Sequence, residues 1–127
     1  MKNFEICIRI IIQNRGKILV FFHKTKGYYF FPGGHLNFWE KINEALKRGF
    51  KEELGIKIRK FSLVGLADNI YEEEGKEHHE INLVFYVIPA KITSQSEENY
   101  IPFFFFDKKR FKKEKVLPIV LQRAILK

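Results

Sequence analysis

The sequence has one cysteine and no long hydrophobic run, and each scarcity excludes a class of protein. Cys7 is the only cysteine among 127 residues, so no internal disulfide can form. It lies in the alternating run 5–10, which favours a packed strand thiol over a nucleophile. No stretch approaches the roughly 18 apolar residues of a membrane helix, and the first residues lead into a strand pattern instead of a secretory signal. We expect a cytoplasmic protein without membrane association.

Acidic residues are also in the minority. The chain has 15 Asp and Glu against 23 Lys and Arg, which gives a formal net charge of +8. Much of the excess lies in residues 107–115. A basic surface attracts nucleotides or RNA, but this segment lacks the aromatic residues interleaved with basic ones in known RNA-binding modules. Nucleic acid is therefore a possible partner that we do not favour over a solvated terminal helix.

What the chain does contain is enough apolar residues for a core. It is 46% hydrophobic and has 14 Phe, which is typical of a globular protein. A chain of this length buries roughly two-thirds of its unfolded surface. It shows no repeat, linker or second composition, so we expect a single domain over residues 1–127. The sequence leaves the oligomeric state open.

The hydrophobic pattern predicts strands on both sides of one central helix. Residues 5–13 and 17–23 both have strand patterns and flank a turn at 14–16, so we expect a hairpin. The central helix is predicted near 42–54. The later elements are an irregular strand region (56–71), an acidic turn (72–76), a strand (79–89), a polar loop (93–99), a buried strand (103–106) and two short helices (near 108–111 and 118–126).

A glycine loop followed by this helix is the most informative segment. Residues 29–34 are an aromatic run stopped by proline and two glycines, which let a backbone approach a ligand closely. On the helix, Glu52 and Glu53 are adjacent carboxylates, and Arg48 lies one turn before Glu52, within side-chain reach. Mg²⁺ prefers oxygen ligands, usually one or two carboxylates with substrate phosphates. The segment therefore predicts a divalent-metal site opposite a phosphate-binding loop.

The same segment resembles the Nudix box, G-x5-E-x7-R-E-U-x-E-E-x-G-U, in which U is aliphatic or aromatic. The matching residues are Gly34, Glu40, Arg48, Glu52, Glu53, Gly55 and Ile56. One fixed position differs, because Gly49 stands where the box has a Glu after the arginine. The resemblance implies an α+β Nudix fold, with a mixed β-sheet sandwiched between α-helices. It also implies an Mg²⁺- or Mn²⁺-dependent hydrolase that acts on a phosphoanhydride in a nucleoside diphosphate linked to another group.

The resemblance further implies roles for individual residues. Gly33 would offer its carbonyl oxygen to the metal, and Glu52 and Glu53 would be side-chain ligands. Glu40 would be a supporting acid. Arg48 would orient the carboxylates.

Gly49 removes a carboxylate that many family members use to activate water. In many of them a Glu from a loop late in the chain completes the metal shell or acts as base, which favours Glu98 or Glu97 here, with Glu80 as the alternative. A general base contributes roughly 10²–10⁴-fold in rate, so its loss would leave a slow enzyme. The alternative function is a catalytically weak or inactive Nudix module that binds a nucleotide or a protein or RNA partner.

Other residues near the loop could contact a substrate. Gly34 and His35 could touch a phosphate, although a solvent-facing histidine is about as common. Tyr29, Phe30 and Trp39 could stack on a base, or they could belong to the core. The sequence does not identify the nucleotide.

Overall fold

The computed structural model describes residues 2–54, 58–90 and 101–126, but not the side chains of residues 49–54. Within these ranges strands and helices alternate unevenly along the chain, with most of the strands before or just after the first helix. The elements are β1 (Glu5–Ile11), β2 (Gln13–Asn14), β3 (Lys17–His23), β4 (Tyr28–Phe30), β5 (Gly33–His35), α1 (Ile42–Leu54), β6 (Ile58–Glu73), β7 (Lys76–Pro89), β8 (Phe103–Phe106), α2 (Lys108–Lys113), β9 (Val116–Leu117) and α3 (Ile119–Leu126). The assignment of residues 1–127 to a single domain stays a prediction.

The first sheet is mixed and has the strand order β5-β1-β7-β6. The parallel pairing of β1 with β7 sets Glu5 beside Glu80 and Cys7 beside Asn82. The antiparallel pairing of β1 with β5 sets His35 beside Cys7. Because alternate residues of a strand point to the same face, these polar side chains share one face of the sheet. That face carries the candidate site.

The second sheet has the order β2-β3-β4-β9. β8 also pairs with β3, on the edge opposite to β4. The hairpin predicted between residues 5–13 and 17–23 forms only next to its turn, because β2 pairs with the start of β3 whereas β1 belongs to the first sheet. Arg15 and Gly16 connect β2 to β3 with φ angles of 53° and 78°. Two positive φ values are typical of the type I′ turn, which matches the twist of paired strands. The hydrophobic pattern of residues 5–13 predicts a strand, but it does not indicate which strand pairs with it.

The longest hairpin joins β6 to β7, and its turn residues Glu74 and Gly75 have positive φ. The region predicted as an irregular strand at 56–71 is β6, which extends to Glu73. Its irregularity comes from breaks in register between Ile58 and Lys60 and between Leu63 and Gly65. The predicted polar loop at 93–99 lies outside the described residues.

The central helix has the predicted bounds. Ala45 and Leu46 of α1 are buried in one cluster with Ile8 and Ile10 of β1 and Phe85 of β7. Truncating a buried leucine to alanine costs roughly 2–5 kcal/mol. This packing therefore holds α1 against the first sheet. Within the described residues, no helix is both long and apolar enough to span a bilayer.

The strand predicted as buried at 103–106 is only partly so. Phe106 is fully buried, whereas Phe104 is 38% exposed. Phe104 and Phe106 lie two residues apart and share one face of β8, so the core covers that face at Phe106 but not at Phe104. The other face is partly buried, at Phe103 and Phe105. The guanidinium carbon of Arg110 lies 4.2 Å from the centre of the Phe106 ring, so a cation covers this edge of the sheet.

One buried amide joins α2, β9 and α3. Gln122 Nε2 donates to the carbonyl oxygens of Phe111 at 2.8 Å and Glu114 at 2.6 Å, and Oε1 accepts from the Val116 amide at 3.1 Å. Buried polar atoms are stable when they are paired in this way. Gln122 thus fixes the backbone on both sides of Lys115, which forms one wall of a cavity described below together with residues 117–119.

Candidate active site

Gly33 lies where β5 approaches β1 most closely. Its φ is +144°, and a Cβ at this position would lie 1.9 Å from the carbonyl oxygen of Ile8. Only glycine fits such an approach, so the strand pairing alone requires this residue. The expected role of its carbonyl oxygen as a metal ligand stays a prediction. A Cβ at Gly34 would meet no heavy atom within 4 Å, so the loop is open to solvent at that position.

Arg48 joins α1 to the glycine loop through Glu40. Its Nε donates to Glu40 Oε2 at 2.6 Å, and its Nη2 donates to Glu40 Oε1 at 3.0 Å and to the His35 carbonyl at 3.4 Å. The Asn37 amide also donates to Glu40 Oε1, at 3.1 Å. The Arg48 guanidinium holds the pKa of Glu40 below its usual range, so this carboxylate stays charged. The supporting role expected of Glu40 thus has a geometric basis.

The remaining acids of the predicted metal site lie outside what the structure describes. The backbone of α1 continues to Leu54, so positions 52 and 53 lie on the helix one turn beyond Arg48. Whether Arg48 orients the two carboxylates there stays a prediction. The predicted residues whose side chains are not described are Glu52, Glu53, Glu97 and Glu98.

Glu80 is a buried carboxylate held by three side chains. Tyr71 Oη donates to its Oε2 at 3.0 Å, and Asn69 Nδ2 and Arg9 Nη2 each lie 3.5 Å from its Oε1. Arg9 Nε donates to Asn82 Oδ1 at 3.0 Å. A charge in this setting is stable only when paired. Burial and the nearby Glu80 charge raise the pKa of Tyr71, so its hydroxyl remains a hydrogen-bond donor.

This polar group lines a cavity between the two sheets. The cavity has a volume of about 370 Å³, which is within the range of small-molecule sites. Arg9 is in the wall and pairs with Gly33 across β1 and β5, so the cavity adjoins the glycine loop. One wall is polar and the facing wall has aromatic and aliphatic side chains. The lining residues are Arg9, Asn69, Tyr71, Glu72, Glu73 and Glu80, facing Tyr28, Phe30, Lys115, Leu117, Pro118 and Ile119.

The three aromatic residues proposed to stack on a base differ in their surroundings. Phe30 lines the cavity. Tyr29 packs edge-on against Phe106, with ring centres 4.8 Å apart, and belongs to the core. Trp39 is 94% exposed, and its ring contacts that of Phe38, which is also exposed. Only Phe30 is therefore placed to contact a ligand in the cavity.

His35 contacts a carboxylate in this structure. Its Nε2 lies 3.0 Å from Glu5 Oε1, and His78 Nδ1 lies 2.7 Å from Glu5 Oε2. The bond from His78 is the main cause of a lowered pKa at Glu5. The His78 ring also stacks on Tyr71, with centres 4.8 Å apart. The contact expected between His35 and a phosphate stays a prediction.

Strand pairing brings together a further group of possible metal ligands. Ligand atoms of Cys7, His35 and Glu80 all lie within 4.8 Å of one another. Burial raises the pKa of the Cys7 thiol to about 11, so it stays protonated near neutral pH, and Glu80 is already held by Arg9. This set differs from the all-oxygen set expected for Mg²⁺. Residues so far apart in the sequence could not be grouped without the strand register.

The sequence reasoning also missed Arg9, Asn69 and Tyr71. A signal was present for the first of these, because Arg9 is the one charged residue in the otherwise apolar run 6–12. Such a residue needs a buried partner, but the sequence does not say which acid supplies it.

Comparison with known proteins yields one consistent family. A family model described as NUDIX domain matches residues 4–119. A protein of Bacillus subtilis (strain 168) named "Putative 8-oxo-dGTP diphosphatase YtkD" is 29% identical in an alignment of 126 residues that covers 90% of this chain and 77% of that protein.

Solved structures of the same type share the fold. The mutator MutT protein from Bacillus halodurans superposes with a TM-score of 0.75 at 20% identity, over 97% of this chain and 82% of that one. A MutT NUDIX hydrolase from Burkholderia pseudomallei gives 0.70 at 22% identity, over 98% and 97%. These matches confirm the α+β fold class predicted from the box.

Proposed function

The chain belongs to the NUDIX domain family and is a pyrophosphohydrolase of that type, and on this basis we propose that its substrate is a nucleoside diphosphate linked to another group, with the base held in the cavity beside Glu80. The observation that carries the proposal is the buried Arg9–Glu80 pair in the wall of a cavity that adjoins the glycine loop. A polar wall opposite aromatic rings suits a planar base with polar edges.

The hydrogen-bonding groups of the wall favour a guanine-type base. A carboxylate accepts hydrogen bonds only, and Glu80 Oε2, which Tyr71 contacts as a donor, can accept a further bond. Guanine presents two adjacent N–H donors that such an acceptor can bind. Arg9 and Asn69 supply donors for its carbonyl oxygen. The Bacillus subtilis relative carries 8-oxo-dGTP in its name, so we propose an oxidised guanine nucleoside triphosphate as the first substrate to test.

A divalent cation, Mg²⁺ or Mn²⁺, is part of this proposal. The proposed ligands are the Gly33 carbonyl and the carboxylates of Glu52, Glu53 and Glu98, which are all oxygen donors of the kind these ions prefer. The bonds from Arg48 to Glu40 and to the loop support this, because they hold α1 next to the loop that carries Gly33. When bound, the cation would stabilise charge on the phosphates and help to orient water.

The other proposed roles, which are positioning, base recognition and general-base catalysis, belong to side chains of this protein. Arg48 and Glu40 position the helix and the loop. We assign Glu80 to base recognition because Arg9 and Tyr71 hold it as an acceptor in the cavity wall. The general base is then Glu98 or Glu97. The cytoplasmic location stays a prediction. So does the expectation that the partner is a nucleotide and not a nucleic acid.

A nucleotide screen tests the proposal. The purified protein is incubated with 8-oxo-dGTP, dGTP, dATP, a nucleotide sugar and a dinucleoside polyphosphate, with Mg²⁺ and separately with Mn²⁺, and products are separated by chromatography. We expect hydrolysis only with a metal present, and the highest kcat/KM for 8-oxo-dGTP. Equal kcat/KM for 8-oxo-dGTP, dGTP and dATP would reject base recognition in the cavity.

Gly49 favours a second candidate, a module that binds a nucleotide and turns it over slowly or not at all. In that case calorimetry should detect binding of nucleoside triphosphates while the screen detects no product. We expect polyphosphate to be required for binding, so a bare nucleoside should bind more weakly. Absence of both binding and turnover would reject both candidates.

A further inference from the structure

Strand β6 forms one edge of the first sheet. It runs for 16 residues and pairs with β7 on one side. On its other side no strand pairs with it within residues 2–54, 58–90 and 101–126. Long unpaired edges bind other strands readily, and proteins usually protect them with charges, prolines or short length. The centre of β6 has none of these protections except Asp68.

Large apolar side chains of β6 face solvent. Leu66 is 67% exposed and Ile70 is 72% exposed, and Leu63 and Val64 are also exposed. Phe4 lies in the same surface groove as Ile70 and is exposed as well. Asp68 lies between Leu66 and Ile70 on the same face. Exposed apolar side chains grouped in this way on a folded chain indicate a binding surface.

The charges along β6 indicate the partner. The strand begins with the basic residues Arg59 and Lys60 and ends with the acidic residues Glu72 and Glu73, with the apolar segment between them. Two copies in antiparallel pairing therefore place the basic end of each strand beside the acidic end of the other. Glu73 also bonds Lys26 of its own chain at 2.8 Å, which leaves Glu72 as the freer of the two acids. We propose that β6 pairs with β6 of a second copy to form a two-fold symmetric dimer.

The register follows from the charge order and from the break beside Val64. A two-fold axis at Leu66 sets Leu66 across from its own copy. Because the register break takes up one residue, Ile70 then lies across from Phe61 of the partner. Ile70 pairs with His79 and Phe61 with Val87 on β7, so the two point to the same face. The dimer covers apolar side chains and joins two sheets into one.

α3 does not block this pairing. Its first residue, Ile119, lines the cavity together with Asn69 and Tyr71, so the helix approaches β6 from the face that looks toward the second sheet. The pairing also leaves the cavity accessible. Dimer formation is therefore a property separate from the proposed hydrolysis, and either can fail without the other.

Solution mass tests the dimer. Sedimentation equilibrium of the full chain between 1 and about 200 µM should give twice the 15.2 kDa chain mass at the upper end. Leu66→Lys places like charges opposite each other and should raise the dimer dissociation constant at least about tenfold. Trp39→Lys, which changes an exposed aromatic residue outside β6, should leave it unchanged. A monomeric wild type throughout, or equal effects of the two variants, would overturn the proposal.

Cysteine cross-linking tests the register. Directly opposed residues of antiparallel strands have Cα atoms about 4.5–5.5 Å apart, which fits a disulfide. Under mild oxidation Leu66→Cys should form a covalent dimer. Asp68→Cys should not, because two such residues would be about 13 Å apart along the strands. Cys7 is buried and serves as an internal control. A cross-link that forms best at Asp68→Cys, or none at either position, would reject this pairing.

Discussion

The molecule has two arginine–glutamate pairs close to the glycine loop, and they are built differently. Arg48 and Glu40 meet through two short bonds, 2.6 and 3.0 Å long, at the start of α1. Arg9 and Glu80 lie 3.5 Å apart and are the more buried pair, with side-chain exposures of 15% and 5%. A two-bond arginine–carboxylate contact fixes geometry, whereas the longer contact shares Glu80 with Tyr71 and Asn69 beside a cavity.

The difference indicates that the two arginine–glutamate pairs have different roles. The shorter pair connects two pieces of backbone, so it acts as a scaffold. The deeper pair presents polar atoms to a cavity, and its geometry leaves room for a ligand to become a further partner. Residue type alone would not have distinguished them, since both are arginine–glutamate pairs.

The largest expected effect belongs to a residue of neither pair. If Glu98 is the base, Glu98→Gln should lower kcat by roughly 10²–10⁴-fold, and Gly49→Glu should change it little. If the base is missing because of Gly49, Gly49→Glu should raise kcat at least about tenfold, and Glu98→Gln should have no effect. Steady-state rates under saturating Mg²⁺ decide between these results, and we expect the first. The same measurement on Glu97→Gln tests the neighbouring acid.

Breaking the scaffold should slow catalysis more than it weakens binding. Arg48→Ala removes the bonds to Glu40 and to the His35 carbonyl, so α1 and the loop lose their relative placement. Displacements of about 1 Å can cost about 10²-fold in rate. We expect kcat to fall by about that factor with a small change in KM. Lys47→Ala, an exposed neighbour on the same helix, should behave as wild type, and an unchanged kcat in Arg48→Ala would contradict the scaffold role.

Breaking the deeper pair should show the opposite kinetic pattern. Glu80→Gln leaves the shape but removes the charge and one acceptor, at a cost of roughly 1–3 kcal/mol. That corresponds to about 5–150-fold in KM, with kcat within a few-fold of wild type. Glu77→Gln, on the exposed part of the same strand, is the matched control. A fall in kcat at constant KM would instead make Glu80 the base.

The smallest effect concerns acid stability. The Arg48 bond lowers the pKa of Glu40, so the folded state binds its proton less readily than the unfolded state does. The stabilisation is therefore present above the ordinary glutamate pKa of about 4.3 and is lost as pH falls through the lowered value. Glu40→Gln should lose less melting temperature between pH 7 and pH 3 than wild type. In an Arg48→Ala background the Asn37 amide still bonds Glu40, so the substitution should make a smaller difference. An undiminished difference would assign the effect to another contact.

The box predicted the helix because its chemistry is local, but it did not predict the contact of Arg48 with Glu40, since the sequence indicated Glu52 as the partner of Arg48. Residues 34–54 are contiguous, so the spacing of Glu40 and Arg48 is visible in the sequence, and the bounds of α1 were predicted correctly. The alternating pattern of β1 and the continuous apolar run of β8 also identified strands. They could not identify the partner strands, which is why the first hairpin was predicted to be longer than it is and β8 was predicted to be more buried than it is.

The cavity could not be predicted for the same reason. Arg9, Tyr71 and Glu80 come from three strands, and their meeting depends on a register that includes the breaks in β6. Glu80 was proposed as a base on sequence grounds alone. Its buried position among hydrogen-bond donors is information that only the pairing of β1, β6 and β7 supplies.

The amide of Gln122 has a consequence for how the cavity could change over evolution. It holds the backbone of the far wall by one accepted and two donated bonds, yet it does not line the cavity. Glutamate at this position would set an oxygen against two carbonyls, and a shorter asparagine would not reach all three atoms. Changing this residue would alter the shape presented to a base while every lining side chain stayed the same. A substitution at Gln122 can thus change the substrate preference, although this residue does not line the cavity. A search confined to the cavity surface would overlook it.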